Sequence, residues 1–473
     1  MRLIYAVLIL LALLSGCAST GEWSSDTPTN ANPKASKAAR VNLQNQSVSK
    51  VYAPSDNLWI RIRDGFQMEP MNSPLEIEQV RWLSARPDYV HRSMARSSRY
   101  LFYIVQEVNA RNMPTEIALL PFVESAFVTH AKSSAKAVGL WQFMPATGKD
   151  FRLTQNVFRD ERRDVLQSTD AALDYLQRLY NQFGSWELAL AAYNWGAGNV
   201  AKAQKRNIAA GLPTDYESLT MPRETRQYVP KLMAYRQIVL DPSAYGIVLP
   251  ELENHPYFVA LDVDNDIDVA LVIKLAEIPS EEFRNLNPSF NKPVILSNAN
   301  QQILLPFAHA EIFQENLKKY SKPLSSWTAV KVSKTESLEQ ASKTLGVDAE
   351  TLRDINGIPR GMRIKAGSTV LIPKTSARSG DVPSTLADNA SLSLEKPPPP
   401  NKCAKPAKGS KASQQGKCAP QKHTKSSDKA VSKGNSAAKN AASQHKSAST
   451  GLAKSAKNDS SANPSNKGVS VKQ

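Results

Sequence analysis

Apolar side chains are spread so unevenly along these 473 residues that only the middle of the chain can build a core. From Thr375 to Gln473 the sequence is mostly Lys, Ser, Ala, Asn and Pro, with an unbroken Pro397 to Pro400 run. Lys and Arg far outnumber Asp and Glu there, so most of the net charge of +16 sits in this stretch and the remainder is nearly balanced. A segment of that composition buries too little apolar surface to offset the entropy of ordering, and 375–473 is expected to be a disordered basic tail. Ser, Thr, Asn and Ala dominate 17–56 in the same way, which reads as a flexible tether. The fold must therefore come from the residues between these two stretches.

Across 57–245 the apolar spacing is helical. Ala171, Leu173, Tyr175, Leu176, Leu179, Tyr180 and Phe183 mark one amphipathic face, and Trp186, Ala189, Leu190 and Tyr193 mark the next, with Gly184 between them. Ser168 followed by Asp170 and Ala171 supplies a helix start, while Pro213 and Pro222 break the chain before a last helix from Glu224 to Leu240. Beyond Asp241 a repeat appears. Glu281 to Pro288 runs parallel to Glu350 to Gly357, and each is followed by an apolar strand ending in proline, Ile303 to Pro306 and Val370 to Pro373. The expected fold is mainly α, an all-α domain followed by two small modules at 246–310 and 326–374.

The start of the chain, Met1 to Leu14, is a short positive end and an apolar run too brief to span a bilayer as a mature helix, so 1–16 reads as a signal peptide. Leu14-Ser15-Gly16-Cys17 looks like a bacterial lipobox, in which Cys17 becomes the lipidated first residue. Three acyl chains would anchor it firmly, at about 0.8 kcal/mol per buried methylene. The alternative is a secreted protein with an incidental cysteine. Cys403 and Cys418 both lie in the tail, where a disulfide would stabilise no core, and one nearby His423 offers no ligand spacing. No metal and no cofactor are expected.

Glu124 ends the apolar run Ile117 to Val123 and is followed at once by Ser125. Burial disfavours the charged form, so such a carboxyl tends to keep its proton, the state a general acid needs. Three further blocks set aromatic or sulfur groups beside amides and hydroxyls: Gly139 to Pro145, Ala192 to Gly196 and Glu224 to Val229. That mixture suits sugar faces and N-acetyl groups. Glu-Ser, Gly-Leu-x-Gln-x-Met-Pro, Ala-Tyr-Asn-x-Gly and a final Tyr, in this order, resemble the family 1 lytic transglycosylases, which have the soluble-lytic-transglycosylase fold of the lysozyme superfamily. Leu58 to Phe66, Arg111 to Pro114, Arg162 to Asp164 and Ser168 to Ala172 make the chain most similar to the membrane-bound D group of that family. Residues 131–138 depart from it, with Ser134 and Ala135 where the pattern has a His-Gly pair. The second module is similar to LysM, a βααβ unit that binds N-acetylglucosamine polymers, although Thr335-Glu336 replaces its usual Gly-Asp. The first copy is a more degenerate LysM-like module.

The resemblance implies a peptidoglycan lytic transglycosylase that cleaves the β-1,4 bond from N-acetylmuramic acid to N-acetylglucosamine and forms a 1,6-anhydro ring without consuming water. It implies Glu124 as the catalytic acid and base. Ser125 would orient it, Gln142 and Met144 would line the reacting subsite, Tyr193 and Asn194 would hold the N-acetyl group, and Tyr228 would sit against Glu124 or the sugar. Trp141 and Phe143 fit a core as well as a cleft, and Tyr193 lies on an apolar helix face where packing is the competing role. Glu187 and Glu224 read as charges at helix starts. The implied partners are glycan strands and, through Cys17, the outer membrane of a Gram-negative bacterium, with the enzyme facing the periplasm and Ala18 as the sorting residue. Nucleic acid is not an expected partner, since the polyanions within reach of the basic tail would be peptidoglycan carboxylates and lipid phosphates. A muramidase using water is the alternative enzyme, and a wall-binding lipoprotein with a decayed catalytic domain is the alternative of another class.

Overall fold

The computed structural model describes residues 56–297 and 301–397. Cys17, the tether before residue 56 and the tail beyond residue 397 lie outside the described residues. The helical part runs α1 Leu58–Asp64, α2 Pro74–Ser84, α3 Pro87–Ser97, α4 Leu101–Ala110, a 3-10 turn Thr115–Leu119, α5 Leu120–Glu124, α6 Pro145–Asp150, α7 Val165–Phe183, α8 Trp186–Trp195, α9 Ala197–Ala209, α10 Arg223–Arg226 and α11 Tyr228–Leu240. One large apolar cluster holds these elements together. Its axis is α11, where Val229, Leu232, Met233, Ala234, Ile238 and Val239 are all fully buried. A helix whose apolar residues extend round most of its circumference must be largely surrounded, and α11 packs against α2, α5 and α8.

Two boundaries differ from the sequence reading. Helix α7 starts at Val165, not near Ser168, because Asp164 caps it by accepting from the Leu166 and Gln167 amides. The last helix is split at Gln227, so Glu224 lies on the separate single turn α10. Gly184 does divide α7 from α8; it closes α7 at φ 70°, a conformation that favours glycine.

The two repeats are built alike. The first comprises β1 Phe258–Asp262, β2 Ile267–Asp268, α12 Val269–Ala276, α13 Ser280–Leu286, β3 Val294–Ile295 and β4 Gln302–Pro306, followed by α14 Phe307–Lys319. The second comprises β5 Trp327–Lys331, β6 Glu336–Ser337, α15 Leu338–Leu345, α16 Ala349–Asn356, β7 Arg363–Ile364 and β8 Thr369–Pro373. The outer strands pair antiparallel with Phe258 opposite Pro306 in one and Trp327 opposite Pro373 in the other. A buried asparagine stitches helix to strand in both: Asn287 donates to the Phe283 and Leu304 carbonyls and accepts from the Leu304 amide, and Asn356 does the same with Leu352 and Leu371. That is why the Leu-Asn and Ile-Asn pairs recur in the sequence.

Order continues past residue 375, where composition predicts the tail to begin. Residues 375–397 include α17 Ser384–Asp388 and β9 Leu394–Glu395, and Val382, Ala387 and Ala390 are buried. This strap joins a cluster with Phe158 of the helical part, Leu296 of the first repeat and Leu371 of the second. The Asp266 carboxylate accepts from the Val382 amide, and β9 pairs with β7. Averaged over the whole tail, its few well-placed apolar residues disappear into the Lys and Ser that follow.

Candidate active site

Five residues, Thr115 to Leu119, are buried as a 3-10 turn and lead straight into α5, which ends at Glu124. The chain then turns sharply: Ala126 and Phe127 adopt φ 49° and 59°, the left-handed region that side chains other than glycine rarely occupy. What holds the turn is the Phe127 ring, buried 4.6 Å from Phe122, together with the Arg96 guanidinium donating to the Ala126 carbonyl at 2.8 Å. Backbone strain is thus concentrated immediately after the acid, and Glu124 projects from the end of a fixed helix.

A loop from 131 to 144 forms the facing wall. Trp141 is buried, its indole N–H donating to Thr169 Oγ1 at 3.0 Å, and Phe143 is buried beside it, so both are core. Gln142, between them, points the other way at φ 47°, and its amide donates to the Gly139 carbonyl at 2.9 Å. The buried Arg162 guanidinium grips Asp160 at 2.8 and 2.9 Å and donates to the Lys136 and Phe143 carbonyls. Gly139 is required here, since a Cβ would lie 2.2 Å from the Arg162 carbonyl oxygen. The Arg162-Arg163-Asp164 motif is thereby a clamp on this loop and a cap on α7. Ser125 donates to the Leu140 carbonyl at 2.9 Å, tying the end of α5 to the loop, and does not bond Glu124 itself. Met144 stands 42% exposed at the loop's end.

The remaining wall comes from α8, α10 and α11. Tyr228, at the start of α11, donates its hydroxyl to the Glu124 carboxylate. Tyr193 donates to the Trp141 carbonyl at 2.8 Å and lies close enough for the Glu124 charge to act on it. Asn194, half-buried, accepts from the Thr225 hydroxyl at 2.8 Å, which leaves its amide nitrogen uncommitted by that bond. The structure brings Glu124, Ser125, Tyr193 and Tyr228 around one point, with Gln142, Met144 and Asn194 on the surrounding walls. Glu187 takes the helix-start role expected of it, accepting from the Ser185 hydroxyl at 2.6 Å.

Burial raises the Glu124 pKa to about 7, and the field of Glu224 adds to this; the Tyr228 hydrogen bond and the Lys231 charge pull the other way without cancelling it. Tyr193 and Tyr228 are themselves pushed well above the ordinary phenol range by burial, so both remain neutral donors. A carboxyl half-protonated near neutral pH can give a proton and take one back. Glu224 and Thr225 belong to a block the sequence already marks, whereas Lys231, whose charge also acts on Glu124, went unnoticed. The spacing could have shown it, because Lys231 follows Tyr228 by three residues on the same helix. Among the described residues no group of His, Cys, Asp and Glu could hold a metal ion.

Two stretches of the chain match known families. Residues 103–211 match the Transglycosylase SLT domain, and residues 257–322 match "Lytic transglycosylase MltD, LysM-like domain", which covers the first repeat and α14. The membrane-bound lytic murein transglycosylase D of Escherichia coli K12 is 33% identical over 383 residues, 78% of this chain and 84% of that protein. The same protein from Escherichia coli O6:H1 matches to the same extent. The chain belongs to the membrane-bound lytic murein transglycosylase D family. It is thus a lytic transglycosylase, a lyase acting on peptidoglycan. An X-ray structure of an inactive mutant of lytic transglycosylase Slt from Pseudomonas aeruginosa aligns at 25% identity with a TM-score of 0.24, over 34% of this chain and 26% of that one. Family membership places the acid-bearing α5 and its loop within the SLT match, and it places α1, α2 and α3 before it.

Proposed function

We propose that Glu124 alone carries both proton transfers of a non-hydrolytic cleavage between N-acetylmuramic acid and N-acetylglucosamine. The observation that carries this reading is the Glu124 carboxyl, poised at about 7 by burial with a neutral tyrosine as its partner. Glu124 first protonates the glycosidic oxygen as the bond to C1 breaks. The resulting carboxylate then takes the proton of the muramoyl C6 hydroxyl, whose oxygen closes on C1 to give the 1,6-anhydro ring. Atoms balance without water, and the carboxyl ends protonated as it began. General acid-base transfer of this kind is worth about 100-fold or more per step.

Tyr228 holds the carboxylate between the two steps. Tyr193 and Asn194 steady the N-acetyl group, Gln142 and Met144 line the subsite, and Ser125 fixes the end of α5 against the loop. Lipidation at Cys17 and attachment to the outer membrane, with the enzyme facing the periplasm in cell-wall turnover, complete the reading. The lipobox supports it, as does the printed description of the Escherichia coli relative as membrane-bound. Among the described residues no helix is long and apolar enough to cross a membrane.

Digestion of purified sacculi in oxygen-18 water tests the chemistry. The expected muropeptides end in 1,6-anhydro-N-acetylmuramic acid, resist borohydride and carry no label at the new end. Labelled, reducible products one water heavier would make the protein a hydrolase, with exposed Glu224 as the first residue to examine for activating that water.

A further inference from the structure

A concavity of about 390 Å³ lies among α2, α3, α5, α10 and α11, the last three of which also carry the Glu124 site. Val123 and Gln227 line it, the residues immediately before Glu124 and Tyr228. Its far side is Trp82 of α2 and Tyr89 of α3, which precede the SLT match. Trp82 is 43% exposed yet held in place, edge to face with Tyr89 at 5.5 Å and with the Arg86 guanidinium 4.4 Å from its ring. An exposed indole fixed on two sides is prepared to meet a ligand at little further loss of entropy. Arg223 and Lys231 also line the pocket, and among the described residues neither has an ion-pair partner. Exposed Glu78 is the pocket's one acid, so the concavity combines aromatic surface with excess positive charge.

We propose that this pocket takes the peptide stem of the muramoyl residue at the scissile bond, its free carboxylates meeting Arg223 and Lys231 and its small apolar side chains lying on Trp82. The inference rests on the activity proposed above. The stem leaves the muramoyl ring at C3, so a ring held at Glu124 delivers it to a neighbouring pocket. A stem supplies what the pocket lacks, negative charge on a chain with methyl groups. A bare neutral sugar would leave both cations unmatched.

The test compares two substrates: glycan strands bearing stems, and the same strands stripped by an N-acetylmuramoyl-L-alanine amidase. Arg223→Gln and Trp82→Ala should each lower kcat/KM on stem-bearing strands about tenfold, chiefly through KM, the scale of one lost charged or aromatic contact. Stripped strands should be cleaved as by the wild type. An equal fall on both substrates would overturn the proposal, since the pocket would then serve the glycan or the fold; so would no fall on either. Arg223 is exposed at the start of α10, which keeps its variant informative if Trp82→Ala fails to fold. Failure of the wild type to cleave either substrate would count against the proposed activity and not against the pocket.

Discussion

Glu116 and Glu124 stand eight residues apart on one buried segment, and they have opposite fates. Both carboxyls are pushed up by desolvation. Glu116, wholly buried, is answered from three sides: the Gln67 and Met68 amides donate to it at 3.1 Å, and the Arg236 guanidinium at 3.0 Å. It ties the chain after α1 to the central α11. Among the described residues, Glu124 receives one tyrosine hydroxyl and no cation in contact. Burial alone therefore does not mark a functional acid. What distinguishes the second glutamate is desolvation left partly uncompensated, on a residue that is half-buried where Glu116 is sealed.

The largest way to break this contrast is Glu124→Gln. Activity should fall well over 100-fold in a muropeptide-release assay while the circular dichroism is kept. The same variant should be more stable than wild type at pH 8. The native carboxyl holds its proton up to about 7 whereas the unfolded one loses it near 4.5, so wild-type stability declines as pH rises between those values. The gain, at most about 3 kcal/mol by that shift, should vanish in thermal melts at pH 4. Glu116→Gln should do the reverse, lowering stability by about 3 kcal/mol in urea titration because Arg236 loses its charged partner, with residual activity tracking the folded fraction. The smallest effect belongs to Tyr228→Phe. Its hydroxyl favours the charged form of Glu124, so removing it should move the alkaline limb of the pH–rate profile upward, by about a unit or less. A downward shift would mean that Tyr228 stabilises the protonated acid.

Much of the site was legible because its parts are local: Glu124 follows its apolar run, Gln142 sits between two core aromatics, and Tyr228 begins a helix. What was hidden depends on contacts between distant segments. Nothing near Thr225 announces that it holds Asn194, 31 residues away, and nothing near Arg162 shows the loop carbonyls it binds. The repeat was visible through its asparagines, whose bonds fall inside each copy. The docking of the repeats was not. The first is fastened to the helical part by the Arg99–Glu282 pair and the Tyr100 hydroxyl on the Asn285 carbonyl, the second by a strap whose apolar residues are too sparse to stand out from a basic tail.

The central claim, that burial without a counter-cation keeps the proton on Glu124 near neutral pH, is tested most directly by carbon-13 titration of its side-chain carboxyl, assigned against Glu124→Gln. The account predicts a midpoint at about 7. A midpoint near 4.5, that of an ordinary glutamate, would contradict it.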